Sequence, residues 1–333
     1  MNYDEFNEII QTKLASELGE EILSALKDRN VLEVMVNPDG TCWVDTFDGM
    51  KPFHTMSGRK TDVIIRTVAT ACHTTVTLDN PEIGCELVMK IDGKQLRFRF
   101  QGVVPPMASP NPCFNIRKHA TQVFTLDDYL RERIITKRQL TIIEKAIAEY
   151  RNFLIVGATS SGKTTFGNSL LDAIARITPD DRIFILEQIP ELESKAVNSV
   201  YLQTTPNRTM NDLLRATLHM RPSRIIIGEL LDRVAHDLLK AWNTGHPGGF
   251  TTLHADSAIR GLRRLEQLVE EANVPVNPSL IAESIDTIIF IAPSPKTKAR
   301  RMVMEILAVD GYDTDSRRYV TRVLAQHPDF NIR

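Results

Sequence analysis

Eight consecutive residues constrain this chain more than any others: Gly157-Ala158-Thr159-Ser160-Ser161-Gly162-Lys163-Thr164 completes the pattern Gly-x-x-x-x-Gly-Lys-Ser/Thr. The run follows the apolar residues 153–156 directly and opens a segment that carries Phe166, Leu170, Leu171 and Ile174 on one helical face. Strand, glycine-rich turn and helix in that order aim backbone N–H groups and the positive end of a helix at a phosphate chain. Lys163 is expected to reach the β- and γ-phosphates and Thr164 to bind Mg²⁺. The expected nucleotide contacts are Gly157, Ala158, Thr159, Ser160, Ser161, Gly162, Lys163, Thr164 and Thr165. ATP with Mg²⁺ is the implied ligand.

The surroundings extend this motif into a domain. Past a helix expected at 139–150, short apolar runs at 153–156, 182–186, 225–227, 250–253 and 287–291 alternate with longer amphipathic stretches. Such alternation builds a mainly parallel sheet with helices on both faces, and ligands of these sheets bind beyond the carboxyl ends of the strands.

The residues before it read differently. Phe6, Ile9, Ile10, Leu14, Leu18, Ile22 and Leu26 recur at helical spacing, which predicts an amphipathic helix over about 3–26. Runs 32–36 and 42–46 flank the turn Asn37-Pro38-Asp39-Gly40 as a hairpin. A second helix is expected at 61–73, and 86–91 with 95–101 bracket Asp92-Gly93 as another hairpin. The proline-rich stretch 104–112 is a loop. At 333 residues the chain has room for two cores. The expected division is a smaller α+β domain over 1–120 and an α/β domain over 121–333.

Cleaving a phosphoanhydride also requires carboxylates near metal and water. Ile225-Ile226-Ile227-Gly228-Glu229 is a buried-type strand ending in an acid, and 182–186 leads into Glu187, with Glu191 four residues later. Both strand ends fall on the edge that carries the glycine-rich turn. His254 ends the strand in Gly248-Gly249-Phe250-Thr251-Thr252-Leu253-His254 and is expected to sense the γ-phosphate. His246 precedes that strand and is left to packing or capping. No second metal-ligand pattern accompanies the two.

Bulk properties narrow the classes further. A net charge of −2 with 25% charged residues gives no field that gathers polyanions, so direct nucleic-acid binding is not indicated. Cys42, Cys72, Cys85 and Cys113 form no C-x-x-C pair, which argues against zinc and fits unpaired thiols in a reducing compartment. Met1 to Phe6 carries acids where a signal peptide has bases, and no apolar run approaches the ~20 residues of a membrane span.

The ordered set of motifs resembles the secretion traffic ATPases, with their Walker A, Asp box, Walker B and His box. It runs from the P-loop through Leu186-Glu187-Gln188-Ile189-Pro190-Glu191-Leu192 and Arg221-Pro222-Ser223-Arg224 to the two-histidine segment. Leu239-Lys240-Ala241-Trp242-Asn243-Thr244-Gly245-His246-Pro247-Gly248-Gly249 looks most like the conjugal transfer ATPases of the TrbB type. The likeness continues into the first domain at Asn37 to Gly40, Arg99 to Pro106 and Phe114 to Lys118. It implies a RecA-like ATPase domain and an amino-terminal domain that clamps nucleotide and supports a homo-hexameric ring. It also implies a cytoplasmic place on the inner membrane, beside the membrane components of a type IV secretion or conjugation apparatus. On that model Arg99 and Arg117 approach the phosphates and Glu187 and Glu191 position Mg²⁺ and water. Glu229 takes the Walker B role, so that Thr164, Glu187 and Glu229 are the expected Mg²⁺ set.

Four positions depart from the family pattern: Gln188 for an aspartate, Leu231 and His219 for arginines, and Ser160 for a glycine. They leave open how fast the chain turns over and how its subunits couple. The alternatives are a pilus assembly or retraction motor of the same superfamily, a regulatory ATP-binding scaffold with little hydrolysis, and a helicase on the same fold.

Overall fold

The computed structural model describes residues 3–28, 30–46, 49–118, 124–159, 161–205, 207–231, 233–297 and 299–330, with only the backbone of 3–7 and 94. Ser160 and the side chain of Phe6 therefore lie outside the described residues. The chain divides into two compact units, Met1–Thr121 and Gln122–Arg333.

In the first unit, α1 (Tyr3–Lys27) is interrupted at Gly19, whose φ of 80° leaves the helical region. Leu14, Leu18, Ile22 and Leu26 are buried, whereas Ile9 is 56% exposed. Among the described side chains, the apolar stripe thus meets the core from Leu14 onward. Strands β1 (Val31–Val36) and β2 (Thr41–Thr46) form the expected hairpin. Asp39 holds its turn by accepting the N–H and hydroxyl of Thr41 at 2.8 and 2.7 Å, bonds that keep its carboxyl below the usual carboxylate range.

The next strand, β3 (Gly49–Thr55), was not anticipated because it contains Pro52. Proline is tolerated there since β3 is an edge of the sheet, where no neighbour needs its missing N–H. Helix α2 (Gly58–Ala71) begins earlier than its apolar pattern, at the N-cap Ser57, whose hydroxyl accepts the Lys60 N–H. Strands β4 (Glu82–Ile91), β5 (Lys94–Val103) and β6 (Cys113–Lys118) complete an antiparallel six-stranded sheet in the order β3-β2-β1-β6-β5-β4. Residues 104–112 form the expected loop.

The second unit opens with α3 (Leu126–Arg131) and α4 (Lys137–Ala148), each started by a capping box, Thr125 with Asp128 and Thr136 with Gln139. There follow β7 (Phe153–Gly157), α5 (Lys163–Ile177), β8 (Ile183–Glu187), β9 (Ser199–Gln203), α6 (Met210–Leu218), β10 (Arg224–Ile227), α7 (Val234–Asn243), β11 (Phe250–His254), α8 (Ala258–Glu271), α9 (Pro278–Ser284), β12 (Thr287–Pro293), β13 (Arg301–Asp313) and β14 (Arg318–Gln326). Among the described residues they make one eight-stranded sheet, β14-β13-β12-β7-β11-β10-β8-β9. It is parallel from β12 to β9 and carries the β13–β14 hairpin antiparallel on one side.

Strand periodicity divides this sheet between two cores. Leu154 and Val156 of β7 join the cluster under α6 to α9, and Phe153 and Ile155 join the cluster under α3 to α5. Because both faces are covered, the central strands are continuous apolar runs, and those were the five expected from sequence. The other three strands escaped it. Edge strand β9 alternates exposed and half-buried residues, and β14 is largely exposed, with Arg318 and Arg322 on its surface. Among the described residues no helix is long and apolar enough to cross a membrane.

Candidate nucleotide site

Strand order alone collects the site. At the carboxyl edge of the sheet β7 delivers Gly157, β11 delivers His254, β10 leads into Glu229, and β8 delivers Glu187, in that spatial sequence. His254 and Gly157 are in-register partners across β11 and β7.

Lys163, 6% exposed at the first turn of α5, donates to the carbonyls of Gly157 (2.9 Å) and Ala158 (3.0 Å). Its Nζ also lies 3.1 Å from His254 Nδ1. An ammonium has only protons to give, so Nδ1 accepts and the proton of the imidazole sits on Nε2. That Nε2 meets Glu229 Oε1 at 2.6 Å. The result is a directed chain, Lys163 to His254 to Glu229, joining the P-loop lysine to the acid after β10.

Glu187 is buried and differently employed. Its Oε1 accepts the N–H groups of Glu191 and Leu192 at 3.1 Å, and its Oε2 accepts Leu192 N–H at 3.2 Å. The carboxylate thereby shapes the 188–192 loop and places Glu191 close to it. Gly228 provides the room, because a Cβ there would stand 2.9 Å from Glu187 Oε1. Asn168 of α5 fastens the same loop to the P-loop helix, donating to Glu191 O (3.1 Å) and accepting from Glu193 N (2.8 Å).

The start of α5 is built for an anion. Its N-cap, Gly162, has a φ of 91° and gives no side-chain bond to the first turn, so the leading N–H groups remain available. Among the described residues Ser161 Oγ, buried beside them, has no hydrogen-bond partner. Arg301, from the first position of β13, donates through Nη1 to Thr165 Oγ1 at 3.3 Å, and its Cδ stands 2.7 Å from where a Gly162 Cβ would be. A helix N-terminus, Lys163 and Arg301 together make a strongly positive pocket, and a polyphosphate is the group that suits it. Thr164 completes the first turn as a half-buried hydroxyl.

Arg301 and Asn168 were missed from sequence. Arg301 lies 136 residues beyond its partner Thr165 in a stretch with other basic residues, so nothing local marks it. Ala158 and Thr159 are exposed on the loop, and Thr165 is half-buried. Arg99 and Arg117 belong to the first unit, where they are direct cross-strand partners on β5 and β6, flanked by Glu86 on β4 and Glu33 on β1. Of the departing positions, His219 is the C-cap of α6, Gln188 accepts Gln203 Nε2 at 3.2 Å through its carbonyl, and Leu231 is 46% exposed.

The rear of the sheet holds this edge in place. Arg224 is fully buried at the start of β10, 2.6 Å from Asp181, and donates to the carbonyls of Gly248 (2.7 Å) and Ile147 (3.0 Å), with its guanidinium 4.1 Å from the Tyr150 ring centroid. Asn152 Oδ1 accepts Gly248 and Gly249 N–H at 2.7 and 3.1 Å, and its Nδ2 donates to Ser284 O. His246 bonds the Pro222 carbonyl at 3.2 Å, consistent with a packing role.

Comparison with known proteins identifies the family. The family described as "Type II/IV secretion system protein" matches residues 63–318. The chain is 40% identical over 295 residues to a probable conjugal transfer protein TrbB of Sinorhizobium fredii, covering 88% of this chain and 89% of that protein. It is 40% identical over 315 residues to the conjugal transfer protein TrbB of Rhizobium radiobacter, covering 94% of each. In fold it resembles the ATPase DotB of Legionella pneumophila, with a TM-score of 0.63, 20% identity and coverage of 92% of this chain and 82% of that one. With a family match that runs from α2 into the β13–β14 hairpin and takes in every residue of the Lys163–His254–Glu229 chain, this protein belongs to the type II/IV secretion system protein family.

Proposed function

We propose that this chain, an ATPase of that family, hydrolyses Mg-ATP in a homo-hexameric ring on the cytoplasmic side of the inner membrane and so powers a type IV secretion or conjugation apparatus. The observation that carries the reading is the Lys163–His254–Glu229 chain at the carboxyl edge of the sheet. It links the group that grips the terminal phosphates to the acid that steers water. The two TrbB relatives, named for conjugal transfer, support the choice of apparatus.

In this reading Gly157 to Thr165 cradle the phosphates. Lys163 exchanges neutral carbonyl partners for anionic oxygens, which a cation prefers. His254, released from the ammonium and from Glu229, presents its Nε2–H to the γ-phosphate, and Glu229, released from His254, orients the attacking water. Glu187 and Glu191 hold the neighbouring loop in position. Bound Mg²⁺ would neutralise charge on the phosphate oxygens, with Thr164, Glu187 and Glu229 as its protein-side set. Arg99 and Arg117 are assigned to transition-state charge, delivered by the first unit as a nucleotide-clamping domain. Domain motion driven by these contacts would carry force to the membrane components.

The test is steady-state phosphate release by the purified chain and by Lys163→Ala. The wild type should turn over and the variant should not; equal rates would remove Lys163 from its role. Sedimentation with Mg²⁺ and ATP should reveal the ring, and a strict monomer under all conditions would overturn it.

A further inference from the structure

The cysteines show no pairing pattern in sequence, yet the fold brings two of them together in the first unit. Cys72 is the C-cap residue of α2, and Cys85 lies in β4, the edge strand opposite β3. Cys72 Sγ donates to the carbonyl oxygen of Glu86, the residue after Cys85, at 3.9 Å, and the Cys85 thiol stands beside it as a donor to its sulfur. Both residues are half-buried where they pack on the rim of the core. Cys42 is fully buried and its thiol is pushed up to about 11, chiefly by that burial. Cys113, on β6, is likewise raised by burial.

We propose that Cys72 and Cys85 are a redox-active dithiol, a modification site that closes to an intramolecular disulfide by exchange with a low-molecular-weight disulfide such as oxidised glutathione. The two thiols are not equivalent. The hydrogen bond from Cys85 holds the Cys72 thiol below its ordinary value, whereas Cys85 is raised by that same bond and by burial. Cys72 is therefore the attacking group and Cys85 the resolving one.

The exchange balances in two steps. The Cys72 thiolate attacks one sulfur of oxidised glutathione, forming a mixed disulfide and expelling one glutathione thiolate. Cys85 loses its proton and attacks the Cys72 sulfur, forming the Cys72–Cys85 bond and expelling the second glutathione. Two electrons and two protons leave the protein, and one oxidised glutathione becomes two reduced molecules. The bond would tie the end of α2 to the strand that pairs Glu86 with Arg99.

The experiment uses the full chain equilibrated with oxidised glutathione, alkylated with a maleimide and mapped as non-reduced peptides. The expected product has two of its four thiols protected, in one linked peptide pair containing Cys72 and Cys85, and dithiothreitol restores all four. Cys85→Ser should accumulate a glutathione adduct on Cys72, while Cys72→Ser should label Cys85 at least about tenfold more slowly, following its smaller thiolate fraction. Four thiols alkylated as fast after oxidation as before would overturn the proposal. So would a link through Cys42, Cys113 or a second chain, or Cys85 proving the faster thiol.

Discussion

His254 Nε2 and Glu229 Oε1 stand 2.6 Å apart although His254 ends β11 and Glu229 lies just beyond the end of β10. The contact exists because β11 and β10 are parallel neighbours that end on the same edge. His254→Ala should leave ATP binding nearly intact and lower the turnover number about 10²-fold, the lower end of what a positioned proton-bearing group contributes. Phosphate release beside equilibrium nucleotide binding measures both. An equal loss in both would make His254 a binding residue.

Arg301 sits at Gly162 and Thr165, on the flank of the loop away from His254. With the phosphates bound as proposed, a cation there would serve the part of the nucleotide that ATP and ADP share. Arg301→Gln should weaken both by a similar factor, about tenfold for one charged hydrogen bond. Calorimetric titration with each nucleotide checks it, and a loss confined to ATP would place Arg301 at the γ-phosphate.

Gly228 leaves no space for a methyl group beside Glu187, whose Cγ would stand 3.0 Å from the new Cβ. Gly228→Ala should push that carboxylate off the N–H groups of Glu191 and Leu192 and cost about 1–3 kcal/mol of stability. Turnover should fall more than ATP affinity. Wild-type kinetics in a stably folded variant would mean that the 188–192 loop has no part in the reaction.

Arg224 and Asp181 form a buried pair at the start of β10, at the opposite end of that strand from Glu229. Removing one partner strands the other in the interior, so Arg224→Ala should cost about 3–5 kcal/mol, while Arg224→Met with Asp181→Leu should cost less. Denaturant melts of the three proteins decide the point. A double variant less stable than Arg224→Ala would show that the ionic pair itself, and not the stranded charge, matters.

Much of this was legible in the residues. The P-loop, the strand-end acids and His254 are each local patterns, and a parallel sheet brings such ends to one edge, which is why the second unit's part of the site could be read. Arg301 could not be read, since its nearness to Gly162 depends on β13 folding back beside the connection between α3 and α4, where Val303 N–H bonds Ile134 O. Strand β3 was hidden by Pro52, and β9 and β14 by polar exposed faces, because sequence periodicity reports burial and these strands have little. Arg99 and Arg117 entered only through family resemblance; nothing in their own spacing marks them.

Asn152 and Arg224 grip Gly248 and Gly249 at the start of β11, five residues or so upstream of His254. Along a strand, a slip of one position turns every side chain to the opposite face. The address of the imidazole is thus written at the far side of the sheet. Lengthening the chain before Gly248 should leave catalysis untouched, whereas one residue inserted between Gly249 and His254 would aim Leu253 or its neighbour where the imidazole belongs.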